Sequence, residues 1–490
     1  MAIAKKEWLA ELISTLDVSE KRFFTRYANQ TGSGESDKFY RLFRHLSAGG
    51  EFDDPQLPAL LGLTGPGQLA NLQRHLYGRI LDSLRLQHRR REPSVRVREQ
   101  IDHASLLYER GLYLQALRVL AKAKQLAATY HLDLLHLLII DFEKTIESRH
   151  ITRATSDRMT ELTSESRRRQ DVMSSRVRQS NLQLMLQRHF ILHGHVSTPA
   201  EARKFYQLYH HHFSDPVLPR ATYMERILGH QCRFWYHYNL LQLDEATRHA
   251  AQWTGIIEAR SELREREVNY YTKGMDRRLL LAFLRDDAEE HRRVHAALHR
   301  FLTESASARP QRSTQQLAEI VLLRAEINQL LLDQASTCGP ARLHALADRI
   351  LGTHGTDRHK LLVLYYKLAV LACLSERPRL GLEYLSPVLN EGSPLRYDLM
   401  VYARLLQLWM HYRLGHHEFV GYGLSNLARY LGRIGYRSDY PTLVVRLLRG
   451  LLRKGGEAAA RQQFRDHLQP LLAGVFHLRE LRYLDVRRLL

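Results

Sequence analysis

A chain of 490 residues with 44% hydrophobic and 25% charged residues is long enough to bury a large core, and its composition excludes a predominantly disordered protein. The formal charge of +20, from 72 Lys and Arg against 52 Asp and Glu, sets up a field that attracts nucleic acid, anionic membrane or acidic protein surfaces. Cys232, Cys338 and Cys373 are far apart and form no CxxC pair, so neither a disulfide framework nor a zinc ribbon is expected.

The start, MAIAKKEWLAELIS, predicts an amphipathic helix with Glu7 and Glu11 inside it rather than an apolar signal core. No uncharged apolar stretch reaches about 18 residues, the length that a membrane span needs, and a cytoplasmic address is the expectation. Residues 1–92 read as an N-terminal helical cap. Asp17 and Glu20 make a capping box for a helix through Phe23, Phe24 and Tyr27, and residues 29–36 are a loop by composition. A short helix carrying Phe39, Tyr40, Leu42, Phe43 and Leu46 follows. Two further helices are joined by a turn of Gly, Thr and Pro. Leu69, Leu72, Leu76, Ile80 and Leu84 mark the apolar face of the second, with Arg74, Arg79 and Arg85 off it.

Ala59, Leu61, Gly62 and Thr64 before this Arg-bearing helix resemble a DNA-reading helix-turn-helix. The TGPGQ turn holds two glycines and a proline, and the apolar positions fall one residue late, so a capping hairpin is the favoured reading. The basic connector from Gln87 to Glu99 adds Arg89, Arg90 and Arg91. With Arg74 and Arg79, these are the residues that would contact phosphates if the chain bound nucleic acid.

Residues 93–435 predict stacked helix pairs, and the clearest pair runs from Ala104 to Ala127. Ala104, Leu107, Tyr108 and Gly111 are spaced i, i+3, i+4, i+7, and Ala116, Leu120, Ala123 and Ala127 repeat the stripe. Gly111 and Tyr113 stand where the chain must turn. This pattern resembles a tetratricopeptide helix pair. A buried helix through LHLLIIDFEKTIESR follows, and the stretch from Ser156 to His193 predicts one long helix or two stacked ones. Arg167, Arg168, Arg169, Arg176, Arg178 and Arg188 make it the most basic helical region.

Later pairs carry weaker signatures. Tyr238 and Ala246 hold the aromatic and small positions, with Trp253 in the place of Ala123, and Ala288 begins a second helix 42 residues after Ala246. Gly381 and Val420 follow 39 residues apart, so the unit is longer than the standard repeat of about 34. The best late copy aligns Leu408, Tyr412 and Gly415 with Ala104, Tyr108 and Gly111, and Val420, Leu424 and Leu427 with Ala116, Leu120 and Ala123. Residues 436–490 read as C-terminal capping helices.

LDVSEKRFFTRYA from Leu16, NLQRHLYGRILDSLR from Asn71 and DLMVYARLLQLWMHYRLGHHEFV from Asp398 together resemble a family of uncharacterised bacterial helical-repeat proteins. The resemblance implies the fold and carries with it no reaction, cofactor or catalytic residue.

Among the 27 histidines, His291, His295 and His299 repeat at i, i+4, i+8. The outer two stand about 12 Å apart at 1.5 Å per residue, no HExxH accompanies them, and a polar solvent face is expected. His210, His211 and His212 are consecutive and cannot converge on a helix; His416 and His417 fall in a turn. There is no GxxxxGK[ST], GxGxxG or GxSxG pattern. Cys232, beside Phe234, Trp235 and Tyr236, is expected in the core, and Asp286, Asp287, Glu289 and Glu290 on exposed faces.

The expectation is therefore an all-α protein, a right-handed α-solenoid of degenerate tetratricopeptide-like pairs behind an N-terminal helical cap, with no metal, cofactor or catalytic residue. Its expected work is that of a non-enzymatic scaffold or adaptor for an acidic protein or peptide, with Tyr108, Tyr113, Arg149, Arg153, Arg176 and Arg178 near the binding surface. Basic nucleic-acid binding or regulation through the N-terminal hairpin and the Arg-rich helices is the alternative.

Overall fold

The computed structural model describes residues 6–30, 38–89, 91–149, 156–196, 198–213, 221–304, 312–333, 338–353, 357–391, 397–434, 438–472 and 478–490. Among them are 24 α-helices and no strand, and the helices pack in neighbouring pairs. The chain forms two compact units, residues 1–174 and 175–490.

In the first unit, α1 (Lys6–Thr15), α2 (Val18–Gln30), α3 (Lys38–Ser47), α4 (Leu57–Leu61) and α5 (Pro66–His88) enclose a small core. The capping box forms as expected: Glu20 N–H donates to Asp17 Oδ1 at 2.7 Å and Asp17 N–H to Glu20 Oε2 at 2.9 Å. Leu76 and Ile80, from the predicted stripe of α5, are buried with Phe24, Phe39 and Phe43. The first of the two hairpin helices, α4, is only 5 residues long.

Next come α6 (Pro93–Glu109), α7 (Tyr113–Thr129), α8 (Asp133–Arg149) and α9 (Ser156–His193), the last a single helix of 38 residues. Ala104, Ala116, Leu120, Ala123 and Ala127 all lie at 0% exposure, so the small-residue stripe is the seam of the α6–α7 hairpin. The start of α9 is fixed by charge. Arg169 donates to buried Asp133 at 2.8 Å, and buried Glu143 accepts from Lys124 at 2.6 Å and Arg158 at 3.1 Å.

The second unit contains the rest of α9 and α10 (Pro199–Tyr209), α11 (Tyr223–Asn239), α12 (Leu243–Glu258), α13 (Ser261–Arg266), α14 (Val268–Leu284), α15 (Ala288–Glu304) and α16 (Arg312–Leu332). It continues through α17 (Pro340–Leu351), α18 (Arg358–Leu374), α19 (Pro378–Leu389), α20 (Tyr397–Arg413), α21 (His417–Ile434), α22 (Asp439–Leu451), α23 (Glu457–Leu472) and α24 (Leu478–Tyr483). Helices α14, α16, α18, α20 and α22 lie side by side, and each packs with the helix that follows it. These first helices form an inner row. Residues 478–490 cross it at one end: Tyr366 donates to Tyr483 O at 3.0 Å, Tyr440 to Leu484 O at 2.6 Å, and Arg488 to Leu331 O at 2.8 Å.

One turn recurs between paired helices. At Gly111 the backbone is left-handed (φ +74°), and the next N–H, of Leu112, reaches back to Leu107 O at 3.0 Å. This is the hydrogen bond that closes a helix in the Schellman motif. Gly415 (φ 79°) repeats it, with His416 N–H on His411 O at 3.0 Å. Four turns do the same without glycine, at His131, Leu241, Asp286 and Glu376, with φ between 51° and 61°. Gly381 shows why its position must be small: a Cβ there would lie 2.5 Å from Met410 Sδ and 3.2 Å from Ala369 O.

Candidate anion-binding recess

The inner row of the second unit packs mainly through apolar side chains, yet it carries a group of cations. On α14, Lys273 and Arg277 lie one turn apart, Arg324 projects from α16, and Lys360 and Lys367 come from α18. Their neighbours hold them in place. Arg277 stacks its guanidinium 4.9 Å from the Trp235 ring and 5.8 Å from Phe234. Asp276, only 9% exposed at its side chain, pairs with Arg324 and lies 3.8 Å from Arg277. Lys367 Nζ donates to Asn328 Oδ1 at 2.7 Å and sits 3.9 Å from the centre of the Phe283 ring.

These groups are desolvated without being sealed. The side chains of Arg277 and Arg324 keep 26% and 22% exposure, and Lys273 and Lys360 are exposed. All five have their pKa lowered, with burial as the largest cause in each. Neighbouring cations add to it: Lys360 and Arg277 act on Lys273, Arg324 and Arg277 on Lys360, and Arg324 on Lys367, whose ammonium is brought down to about 7. Half-buried arginines beside exposed lysines make a partly covered cationic cluster on α14, α16 and α18, the candidate recess. Against these five basic groups stand Asp276, beside Arg324 and Arg277, and Asp357, near Lys360, so the cluster keeps an excess of positive charge. A low-dielectric concavity with uncompensated like charges concentrates its field on an incoming anion.

The residues expected at a binding surface are distributed over both units. Tyr108, Tyr113 and Arg149 meet in the first: the two rings stand 5.4 Å apart, and the Arg149 guanidinium lies 5.4 Å from Tyr108. Arg176 and Arg178 fall in the second unit on α9, Arg178 exposed and Arg176 half-buried near Tyr270. Arg153 and Arg90 lie outside the described residues. Of the proposed phosphate contacts, Arg79 is held inward, donating to Tyr27 Oη at 3.2 Å with its guanidinium 5.7 Å from Phe39. Arg89 pairs with Glu99 at 2.6 Å, while Arg74 and Arg91 are exposed.

None of the five cations belongs to a long run of charge: Lys273, Arg324 and Lys367 stand singly, Arg277 is followed by Arg278, and Lys360 follows Arg358 and His359. Their spacing was the available signal, 47 residues from Arg277 to Arg324 and 43 from Arg324 to Lys367. The histidine stripe also needs correction. His291, expected on a solvent face, has 0% exposure and bonds Gln329 Oε1 through Nδ1 at 2.8 Å, because α16 packs over that side of α15. Cys232 lies in the core as expected, 1% exposed, donating to Gln179 O at 3.1 Å with its thiol pushed up to about 12 by burial.

A scan against protein-family models, a search of curated proteins and a search of solved structures each returned no match. Among the described residues, no helix is long and apolar enough to cross a membrane.

Proposed function

We propose that this protein is a non-enzymatic scaffold or adaptor of repeated, tetratricopeptide-like helix pairs, and that the recess on α14, α16 and α18 receives an acidic segment of a protein partner. The observation that supports the reading is the excess of cations held on an otherwise apolar inner row. Burying a charge in such a place costs free energy unless it gains a partner, and a carboxylate-bearing segment supplies one. The fixed guanidinium groups of Arg277 and Arg324 favour carboxylates by their planar donor geometry.

The test is affinity capture of the tagged chain from its own lysate, with and without nuclease, comparing the wild type with the double reversal Lys273→Glu/Lys360→Glu. Both lysines are exposed, so the fold should survive, which circular dichroism checks. A protein partner retained by the wild type and lost by the variant supports the reading. Retention that disappears for both on adding nuclease moves it to nucleic acid, and equal retention by both places the contact elsewhere.

A further inference from the structure

The hairpin of α11 and α12 brings together histidines that have no part in the recess. His237 lies in the last turn of α11, and Glu245 and His249 are i, i+4 on α12, on one face of that helix. One ligand atom from each residue can be chosen so that all lie within 4.8 Å of one another. The turn between the helices is fixed by the left-handed Leu241 and by Gln242 N–H on His237 O at 2.9 Å. The two helices are therefore held in register at this point.

The hydrogen bonds around the cluster leave its donor atoms available. His237 Nδ1 lies 2.7 Å from Gln242 Oε1; an amide oxygen only accepts, so Nδ1 carries the proton and Nε2 keeps its lone pair. His249 Nδ1 lies 3.1 Å from His230 Nδ1; with His249 as the donor in that contact, its Nε2 keeps the lone pair. Arg248 takes Glu245 Oε2 through both Nε and Nη2, so Oε1 is open. Partners of this kind, which set the tautomer and orientation of a ligand from behind, are typical of metal sites. All three residues line an open cleft of about 460 Å³, together with His210, Tyr236 and Gln252.

We propose that His237, Glu245 and His249 bind a divalent transition-metal ion of the zinc class, with a fourth position facing the cleft. Two imidazoles and one carboxylate are an established zinc donor set, and three protein ligands with one open position suit an exchangeable fourth ligand. Bonds of about 2.0–2.2 Å place tetrahedral ligand atoms roughly 3.3–3.5 Å apart, a distance the side chains reach by small rotations. Neutral imidazole is the form that ligates metal.

Cobalt(II) serves as the probe, since its visible absorbance reports four-coordinate binding. The full chain should take up Co²⁺ saturably with a tetrahedral spectrum, and Zn²⁺ should displace it. His237→Ala and Glu245→Gln, both at half-buried positions, should each weaken uptake by about tenfold or more. Glu245→Gln keeps the side-chain shape, so its loss cannot be attributed to misfolding when circular dichroism is unchanged. Removing the pair of half-buried His411 and exposed His416, whose Nδ1 atoms lie 2.9 Å apart, should leave the signal intact. A wild type without saturable uptake, or variants at 237 and 245 that bind as the wild type does, would overturn the proposal.

Discussion

Lys367 shows how much an individual residue can be asked to carry. Its ammonium lies in the inner row, 9% exposed, with Asn328 as hydrogen-bond acceptor and the Phe283 ring beside it. Burial and Arg324 together bring its pKa from 10.5 to about 7. Between these two values the unfolded chain binds the proton more tightly than the folded one, so stability rises with pH across that window and is flat below it. Lys367→Met removes the titrating group and should remove that rise. Chemical denaturation of wild type and variant at pH 6, 7.5 and 9 checks it: the wild type should gain on the variant as pH increases, and parallel profiles would contradict the assignment. His291 acts in the opposite range. Its ring is held neutral to about 4, mainly by burial, so the unfolded chain takes up the proton first as pH falls below about 6.5. Stability is lost from there down to about 4, and His291→Gln should make that loss smaller.

At the scale of the element, the hairpins explain what the sequence could and could not reveal. The α6–α7 pair was legible because Gly111 marks its turn and alanines mark its seam; the α20–α21 pair was legible from its glycine turn at Gly415 and the Val420, Leu424 and Leu427 stripe. The α11–α12, α14–α15 and α18–α19 turns use Leu241, Asp286 and Glu376 in the same left-handed conformation, so the glycine signal is missing while the geometry persists. An L-residue there costs about 1–2 kcal/mol. A Cβ at Gly111 meets nothing within 4 Å, so Gly111→Ala should lose about 1 kcal/mol through backbone conformation alone. Glu376→Gly should move the other way by up to about 1 kcal/mol, reduced by the loss of its exposed 3.5 Å pair with Arg413. Thermal denaturation of the two variants measures both signs, and two losses would refute the shared turn. The same reasoning accounts for the sites. The recess and the histidine cluster depend on which helix neighbours which, and spacing along the chain encodes that only where the repeat is regular. Glu245 and His249 share one helix face one short turn beyond His237, a spacing that matches no HExxH pattern and becomes a cluster only once α11 and α12 fold together.

At the scale of the whole molecule, the question is whether the +20 charge acts as a total or through its placement. Several arginines are already committed to internal pairs: Arg158 and Arg169 to Glu143 and Asp133, Arg482 and Arg488 to Asp286. Those charges fasten helices, and they add little to an external field. Lys273 and Lys360 are different: both are exposed, Lys273 is repelled by Lys360 and Arg277, and Lys360 is repelled by Arg324 and Arg277 and attracted by Asp357. Two double reversals, Lys273→Glu/Lys360→Glu and Arg74→Glu/Arg91→Glu, change the net charge equally and differ only in position. For a polyglutamate peptide bound in the recess, the first should abolish most of the affinity and flatten its dependence on salt, and the second should leave both close to the wild type. If diffuse charge governed binding, the two variants would weaken it alike, and the slope of log affinity against log salt would fall by a similar amount in each. Fluorescence anisotropy of a labelled peptide between 50 and 300 mM salt separates the two outcomes, because screening acts on total charge and the recess acts through position.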